Sequence, residues 1–364
     1  MSKSTVSVTT CENYEKEQVR KAVSDAVNAL GGIGSFVHPG EKVLIKPNFL
    51  YPSEAEKAIT THPQVISAVI EMVENSGVSD IMCGDSPGHG SCKDAFEKLG
   101  LDQKYMTPMD KEVLRNGMYF TSEALEADAI IGVCKMKTHM LVRVTGAVKN
   151  MYGLICGHRK AAGHVSNPSA SSFAKMMTEI HNATHQRLHI MDAVIAMEGN
   201  GPSSGTPVHM GLILASADPV ALDAVFCRLV HLDPTMVPTE TYGYKEKLGT
   251  YKTDEIQVLL NGEAIEMDEL VDRFGKPDFD VQREGEKLNA LSILSKISGA
   301  FGHKPVLDKE KCVRCGICVS HCPVDGQAIS FANGKDKPPV YDYKKCIRCY
   351  CCQEMCPQHA IRKK

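Results

Sequence analysis

Two stretches near the end of the chain carry the same cysteine spacing: Cys312-x2-Cys315-x2-Cys318-x3-Cys322-Pro323 and Cys346-x2-Cys349-x2-Cys352-x3-Cys356-Pro357. Three closely spaced thiolates on one tight loop wrap a corner of a [4Fe–4S] cube. The fourth, followed by proline, turns away to reach a second cube. The spacing therefore assigns Cys312, Cys315, Cys318 and Cys356 to one cluster, and Cys346, Cys349, Cys352 and Cys322 to the other, two [4Fe–4S] clusters in all. Paired zinc sites also use C-x2-C, but they need neither the evenly spaced third cysteine nor the Cys-Pro. Cys351 is off the spacing and is read as a packing thiol, with substitution for a neighbouring ligand as the alternative.

A second group of residues could bind and protonate a small molecule. Lys46, Asp85, Lys135, Lys137 and His139 each follow an apolar run of strand length, and ligands of open α/β sheets bind beyond the carboxyl ends of the strands. Gly84–Gly88 precedes a helix and offers backbone N–H groups to an anion. The expected ligand is a small anion, carboxylate or phosphate. Lys137 and Lys149 hold it, His139 supplies a proton, and Lys46, Asp85, Lys135, Asn150 and Glu198 complete the site. Plainer readings stand beside these: Lys46 as a solvated strand end, Asp85 as a turn cap, His62 as part of a helix start, Glu198 in an ordinary loop and Asp218 as an N-cap.

The elements that must position these residues follow from periodicity. Val43–Ile45, Ile81–Cys83, Ala129–Val133, Leu188–Ala196 and Met210–Ala215 read as strands. Val65, Ala68, Val69, Met72 and Val73 mark one helix face, with Thr61 as its cap, Pro63 in its first turn and Gly77 at its end. Further helices are expected around Ala95–Leu99, Ala147–Ile155, Ser172–His185 and Pro219–Val230. Such alternation predicts an α/β fold, a mostly parallel sheet with helices on both faces, plus a small α+β two-cluster domain. The domains divide as 1–266, a connecting arm over 267–304 with an amphipathic piece near Leu288–Ile297, and 305–364. Cys83 and Cys134 both end strands, and their approach would make a third metal site.

The chain has 364 residues, 15 cysteines and a formal net charge of −3. That balance argues against nucleic acid as a partner. No apolar run approaches the roughly 20 residues that span a bilayer, so no membrane partner is expected and a cytoplasmic location is. Nine cysteines crowded between Cys312 and Cys356 speak for metal rather than a disulfide scaffold. There is no C-x3-C-x2-C run, P-loop or G-x-G-x-x-G.

Seven segments, in order, resemble the "domain of unknown function 362" family, whose members often carry a ferredoxin tail. They are Ile45-Lys46-Pro47-Asn48, Thr60-Thr61-His62-Pro63, Gly84-Asp85-Ser86-Pro87-Gly88, Lys135-Met136-Lys137-Thr138-His139, Gly146-Ala147-Val148-Lys149-Asn150, Met197-Glu198-Gly199-Asn200-Gly201-Pro202 and Asp218-Pro219-Val220-Ala221-Leu222-Asp223. The resemblance implies an iron–sulfur oxidoreductase or electron-transfer role and no particular substrate. The expected function is a reductase passing electrons from a donor protein, through both clusters, to the anion. The alternatives are an electron carrier or metallocofactor-assembly partner without its own substrate, and a body that holds an unadvertised cofactor such as a flavin.

Overall fold

The computed structural model describes residues 3–283 and 304–364. Most of the expected connecting arm, with its amphipathic piece, lies outside them. The strands are β1 (Ser4–Thr10), β2 (Lys42–Pro47), β3 (Asp80–Cys83), the β4–β5 hairpin (Glu112–Arg115, Met118–Thr121), β6 (Ala129–His139), β7 (Arg143–Thr145), β8 (Gln186–Glu198), β9 (Thr206–Ser216), β10 (Ile256–Leu260) and β11 (Glu263–Ile265). All but the hairpin form one sheet, ordered β11-β10-β1-β9-β8-β6-β2-β3, with β7 paired to β6. Strands β10, β1, β8, β6, β2 and β3 run one way, and β9, β11 and β7 run against them.

Both faces are covered. Val43, Ile45, Ile131 and Val133 point into a core built with α1 (Lys16–Asn28), α2 (Pro63–Asn75) and α3 (Cys92–Leu99). The alternate residues Leu44, Ile130, Cys134 and Met136 point the other way, as a pleat of period two requires. There they meet α4 (Ser122–Glu126), α5 (Ala147–Asn150), α7 (Ala170–Ala183) and α8 (Pro219–Leu229), with α6 (Lys160–Ser166), α9 (Pro238–Lys245) and α10 (Met267–Phe274) packed alongside. Residues after Met267 still belong to this core, through Leu270, Phe279 and Val281. Cys83 and Cys134 lie on opposite faces with β2 between β3 and β6, so they do not meet.

Local details depart from expectation for physical reasons. His62, not Thr61, caps α2, its Nδ1 accepting from the Gln64 N–H at 3.2 Å. Thr61 instead donates to the Val133 carbonyl at 2.7 Å, tying the helix start to the sheet. β8 and β9 form an antiparallel hairpin, since the seven residues between them are too few for a crossover. Most consequentially, β6 continues through Lys135, Lys137 and His139, which therefore stand within a buried strand rather than on a loop after it.

The last module is small. Pro305–Leu307 pairs with Ile361–Lys363, Ile329–Ser330 pairs with Val340–Tyr341, and single helical turns occupy Ile317–Ser320 and Cys351–Glu354. It sits against the body through Asn200, whose side chain donates to the Ile361 carbonyl at 3.1 Å and whose own carbonyl accepts from Gln353 at 2.8 Å.

Candidate functional site

A cavity of about 830 Å³ opens beyond the ends of β2 and β3. The body contributes Asn48, Phe49, Asp85, Ser86, Lys149, Asn150, Tyr152, Lys160 and His164, and the C-terminal module closes the far side with His321, Cys322, Cys351, Glu354 and Met355. Its size is that of a pocket for a small molecule or cofactor.

Lys149 supplies the accessible charge. It lies on the wall and makes no hydrogen bond or ion pair among the described residues. Its position depends on Asp223, whose carboxylate accepts from the N–H groups of Ala147 at 2.6 Å and Val148 at 3.0 Å and so caps α5 from across the core. A Cβ at Gly146 would stand 1.9 Å from Asp223 Oδ1, so this position admits no side chain. Lys160 adds a second nitrogen, bonded to the Ser86 carbonyl, and burial pushes its ammonium down to about 8 against the pull of Asp85.

Lys46 is wholly buried beneath the wall. Its Nζ lies 2.8 Å from Asp85 Oδ2, 2.6 Å from the Pro47 carbonyl and 3.2 Å from Asn150 Oδ1. Asp85 Oδ2 also accepts from the Phe49 N–H at 2.7 Å, and Asn48 reaches Asn150 Oδ1 at 3.1 Å. These four residues form one knot that joins the loops after β2 and β3 to α5. Gly153 permits the knot, since a Cβ there would meet Asp85 at 2.0 Å and Lys46 at 2.3 Å. The Gly84–Gly88 loop is no free anion cradle. The N–H groups of Gly84, Ser86 and Gly88 are already bonded to the carbonyls of Ile45, Gly153 and Leu50.

The other expected residues lie behind or away from the wall. Lys137 is buried, donates to the Ile59 carbonyl at 2.5 Å, and does not line the cavity; burial and the neighbouring Lys149 charge push its ammonium well down. His139 Nδ1 accepts from the Leu141 N–H at 3.2 Å, which leaves the Nε2 proton facing Glu354 Oε1 at 3.1 Å, close but poorly aligned for a hydrogen bond. Burial and Lys149 push its imidazole down, against the pull of Glu354, and His139 and Lys149 together hold the Glu354 carboxyl down against its burial. Lys135 belongs to a separate buried network, 2.8 Å from both Asp192 Oδ2 and the Tyr14 hydroxyl. Glu198 accepts from the Asp280 N–H at 2.9 Å, remote from the cavity.

Sequence reading missed Lys160, His164, Tyr152 and Glu354. The first three follow the recognised motifs without a spacing signal, and Glu354 lay hidden within the cysteine run. Buried Asn48 Oδ1, Asp85 Oδ1 and His164 Nδ1, on three residues of the cavity lining, lack a hydrogen-bond partner among the described residues. Buried polar atoms are rarely left so; three around one cavity fit a place that receives a polar guest.

Each cysteine set surrounds its own small pocket. One is lined by Cys312, Cys315, Cys318 and Cys356, the other by Cys322, Cys346, Cys349 and Cys352. The sulfurs receive hydrogen bonds of the kind that tune an iron–sulfur ligand: Ala328 N–H to Cys322 Sγ at 3.2 Å, Ala360 N–H to Cys356 Sγ at 3.3 Å, and the Tyr341 hydroxyl with Cys352 Sγ at 3.1 Å. The donor set fits iron–sulfur ligation, and Cys322 lines both its own pocket and the large cavity. Cys351 is buried, lines the large cavity and lines neither cysteine pocket.

Fold and site together define an α/β body carrying an iron–sulfur module. Residues 304–357 match a 4Fe-4S dicluster domain. Residues 43–228 match the domain of unknown function (DUF362), and the chain belongs to that family. A thylakoid-associated protein of Synechocystis sp. is 34% identical over 262 residues, covering 68% of this chain and 80% of the relative. Among solved structures, the lactate racemase apoprotein of Thermoanaerobacterium thermosaccharolyticum aligns at 13% identity with TM-score 0.37, over 59% of this chain. A Thermotoga maritima protein aligns at 11% identity with TM-score 0.36, over 66% of this chain. The chain spans 55% and 60% of the lengths of these two structures, and so distant a likeness carries nothing about function.

Proposed function

We propose that the chain is an iron–sulfur oxidoreductase that moves electrons between a protein partner and a small anionic substrate held in the large cavity. The observation that carries this reading is the shared wall: Lys149 and Lys160 on one side, Cys322 on the other. Two [4Fe–4S] clusters, held by the crossed cysteine sets, would supply one-electron transfer. Lys149 binds the anion, with Lys160 and the Asn48 and Asn150 amides beside it. Lys137 and His139 act from behind the wall. His139 positions Glu354 and Lys137 anchors the Ile59 segment, so neither needs to touch the substrate. Lys46 and Asp85 hold the loops. The apolar lining of Phe49, Tyr152 and Met355 limits water around the bound group.

No described helix is long and apolar enough to cross a membrane. A cytoplasmic location suits a chain of reduced thiols; the thylakoid association of the relative is compatible with a protein that visits a membrane surface without entering it.

Protein purified without oxygen should contain about eight iron and eight sulfide per chain, from two cubes. It should bind a small carboxylate or phosphate, and Lys149→Met should weaken that binding by about ten- to hundred-fold, the contribution of a charge-assisted hydrogen bond. Metal analysis and calorimetric titration read both. Zinc in place of iron, or unchanged anion affinity in Lys149→Met, overturns the proposal.

A further inference from the structure

The duplicated cysteine run carries its own internal control. In both copies an aliphatic residue and an arginine follow the first cysteine, Val313–Arg314 and Ile347–Arg348, and both arginines take the same left-handed backbone, φ 59°. Their surroundings differ. Ile347 and Arg348 are half-buried and Cys349 is buried, whereas Val313, Arg314 and Cys315 are all exposed, Val313 by 55%. The body covers the second copy's helical turn, through Gln353 to Asn200 and Glu354 to His139, while the corresponding loop of the first copy faces outward.

Charge surrounds the exposed copy. Lys309, Lys311, Arg314, Lys335 and Lys337 are exposed, and Arg314 donates to the Asp336 carbonyl at 3.4 Å, which brings the 335–337 turn beside the loop. Asp308, Glu310 and Asp336 leave the patch net positive. The larger scale agrees: residues 304–364 hold 12 Lys and Arg against 6 Asp and Glu, and the remaining chain holds 29 against 38. Counting these side chains, a module of +6 is mounted on a body of −9; two thiolate-held [4Fe–4S] clusters at about −2 each would leave the module about +2, still opposite in sign to the body.

We propose that the Val313–Cys315 loop and its lysine ring are the docking face for the protein partner, a small acidic one-electron carrier. An apolar centre within a charged rim is the usual anatomy of a protein interface. Opposite charge speeds encounter more than it strengthens the final complex, which suits a carrier that must leave after each electron. The exposed Cys315 belongs to the cysteine pocket away from the large cavity, and Cys322 of the other pocket lines it. Partner and substrate therefore approach opposite ends of the cysteine array. The inference rests on the module holding redox clusters and is independent of what the cavity binds.

The test uses the full chain, purified without oxygen, and an acidic plant-type [2Fe–2S] ferredoxin as probe. Binding is followed by anisotropy of the labelled probe between about 20 and 200 mM salt, a range over which screening shortens markedly. Affinity should fall about ten-fold or more across that range. Lys335→Glu with Lys337→Glu, on a turn outside the cysteine runs, should weaken binding at least ten-fold at low salt with iron content unchanged. Val313→Asp should do the same, and Lys21→Glu on the body should do nothing. Binding that ignores salt, or that survives the Lys335/Lys337 reversal, overturns the assignment. So does failure to bind the ferredoxin while phosphatidylglycerol vesicles are bound through the same lysines, which would make the patch a membrane-surface contact.

Discussion

At the scale of single residues, the lysines divide into those that are tied into the fold, such as Lys46, and those that line the cavity, Lys149 and Lys160. Lys46 and Asp85 are taken out of water together, and such a pair is strongly destabilised when one member is removed, because the other is left charged and alone. Lys46→Met should therefore cost about 3–5 kcal/mol in denaturant unfolding, and Lys46→Met with Asp85→Leu should recover much of it. If Lys46→Met instead weakens anion binding at unchanged stability, the lysine serves the ligand directly. Lys160 adds a pH signature. Burial brings its ammonium down to about 8, so its charge is present below that pH and lost above it. Anion affinity should decline as the pH rises through about 8, and Lys160→Arg should move the decline upward, as titration calorimetry at several pH values would read. Residue type was legible in the sequence here, since lysines beyond strands do mark the crevice. The role was not, because nothing local says that Lys46 pairs with Asp85 or that Lys149 makes no ion pair among the described residues.

Elements explain why the motifs are spaced as they are. The Gly146–Asn150 segment and the distant Asp223 act as one device, an α5 whose N-terminus is capped by a carboxylate from α8. Asp223→Asn keeps one acceptor and turns the other into a donor against an N–H, a change expected to cost about 1–3 kcal/mol. It should also loosen Lys149 and weaken the anion. Burial, opposed by the two N–H bonds, raises the Asp223 carboxyl to about 7. Its folded pKa exceeds the unfolded value, so its contribution to stability is full below about pH 4 and is lost as the pH climbs through about 7. The stability gap between the native chain and Asp223→Asn should narrow over that interval and then level; a gap that widens would sink the assignment. Apolar periodicity revealed most strands and helices, because their cores are continuous. It cut β6 short at Val133, because Lys135, Lys137 and His139 interrupt the apolar run. The strand continues since each of them finds a buried partner from another part of the chain, Asp192, the Ile59 carbonyl or Glu354, and such partners carry no local signal.

For the whole molecule, the two parts differ in what holds them together. Among the described residues, the apolar clusters of the body contain none beyond Val281, whereas half of the buried residues in the module's small core are cysteines. Residues 1–283 alone should unfold cooperatively and without iron, yet bind the anion at least ten-fold more weakly than the full chain, because the Glu354 and Met355 side of the cavity is gone. Circular dichroism and titration calorimetry would separate the two effects, and undiminished affinity would place the ligand elsewhere. The module was the most legible part of the chain, since metal ligation imposes a spacing that packing does not. The cavity was the least legible, being formed between parts more than a hundred residues apart. That division has a consequence for how the protein matures. A small domain in which half of the buried core is metal ligands is expected to take its shape as the metal arrives, so one wall of the pocket should depend on iron. If the cavity binds the proposed anion, a newly made chain should hold it poorly until the module has been loaded, and starvation for iron should weaken that binding without unfolding the larger part.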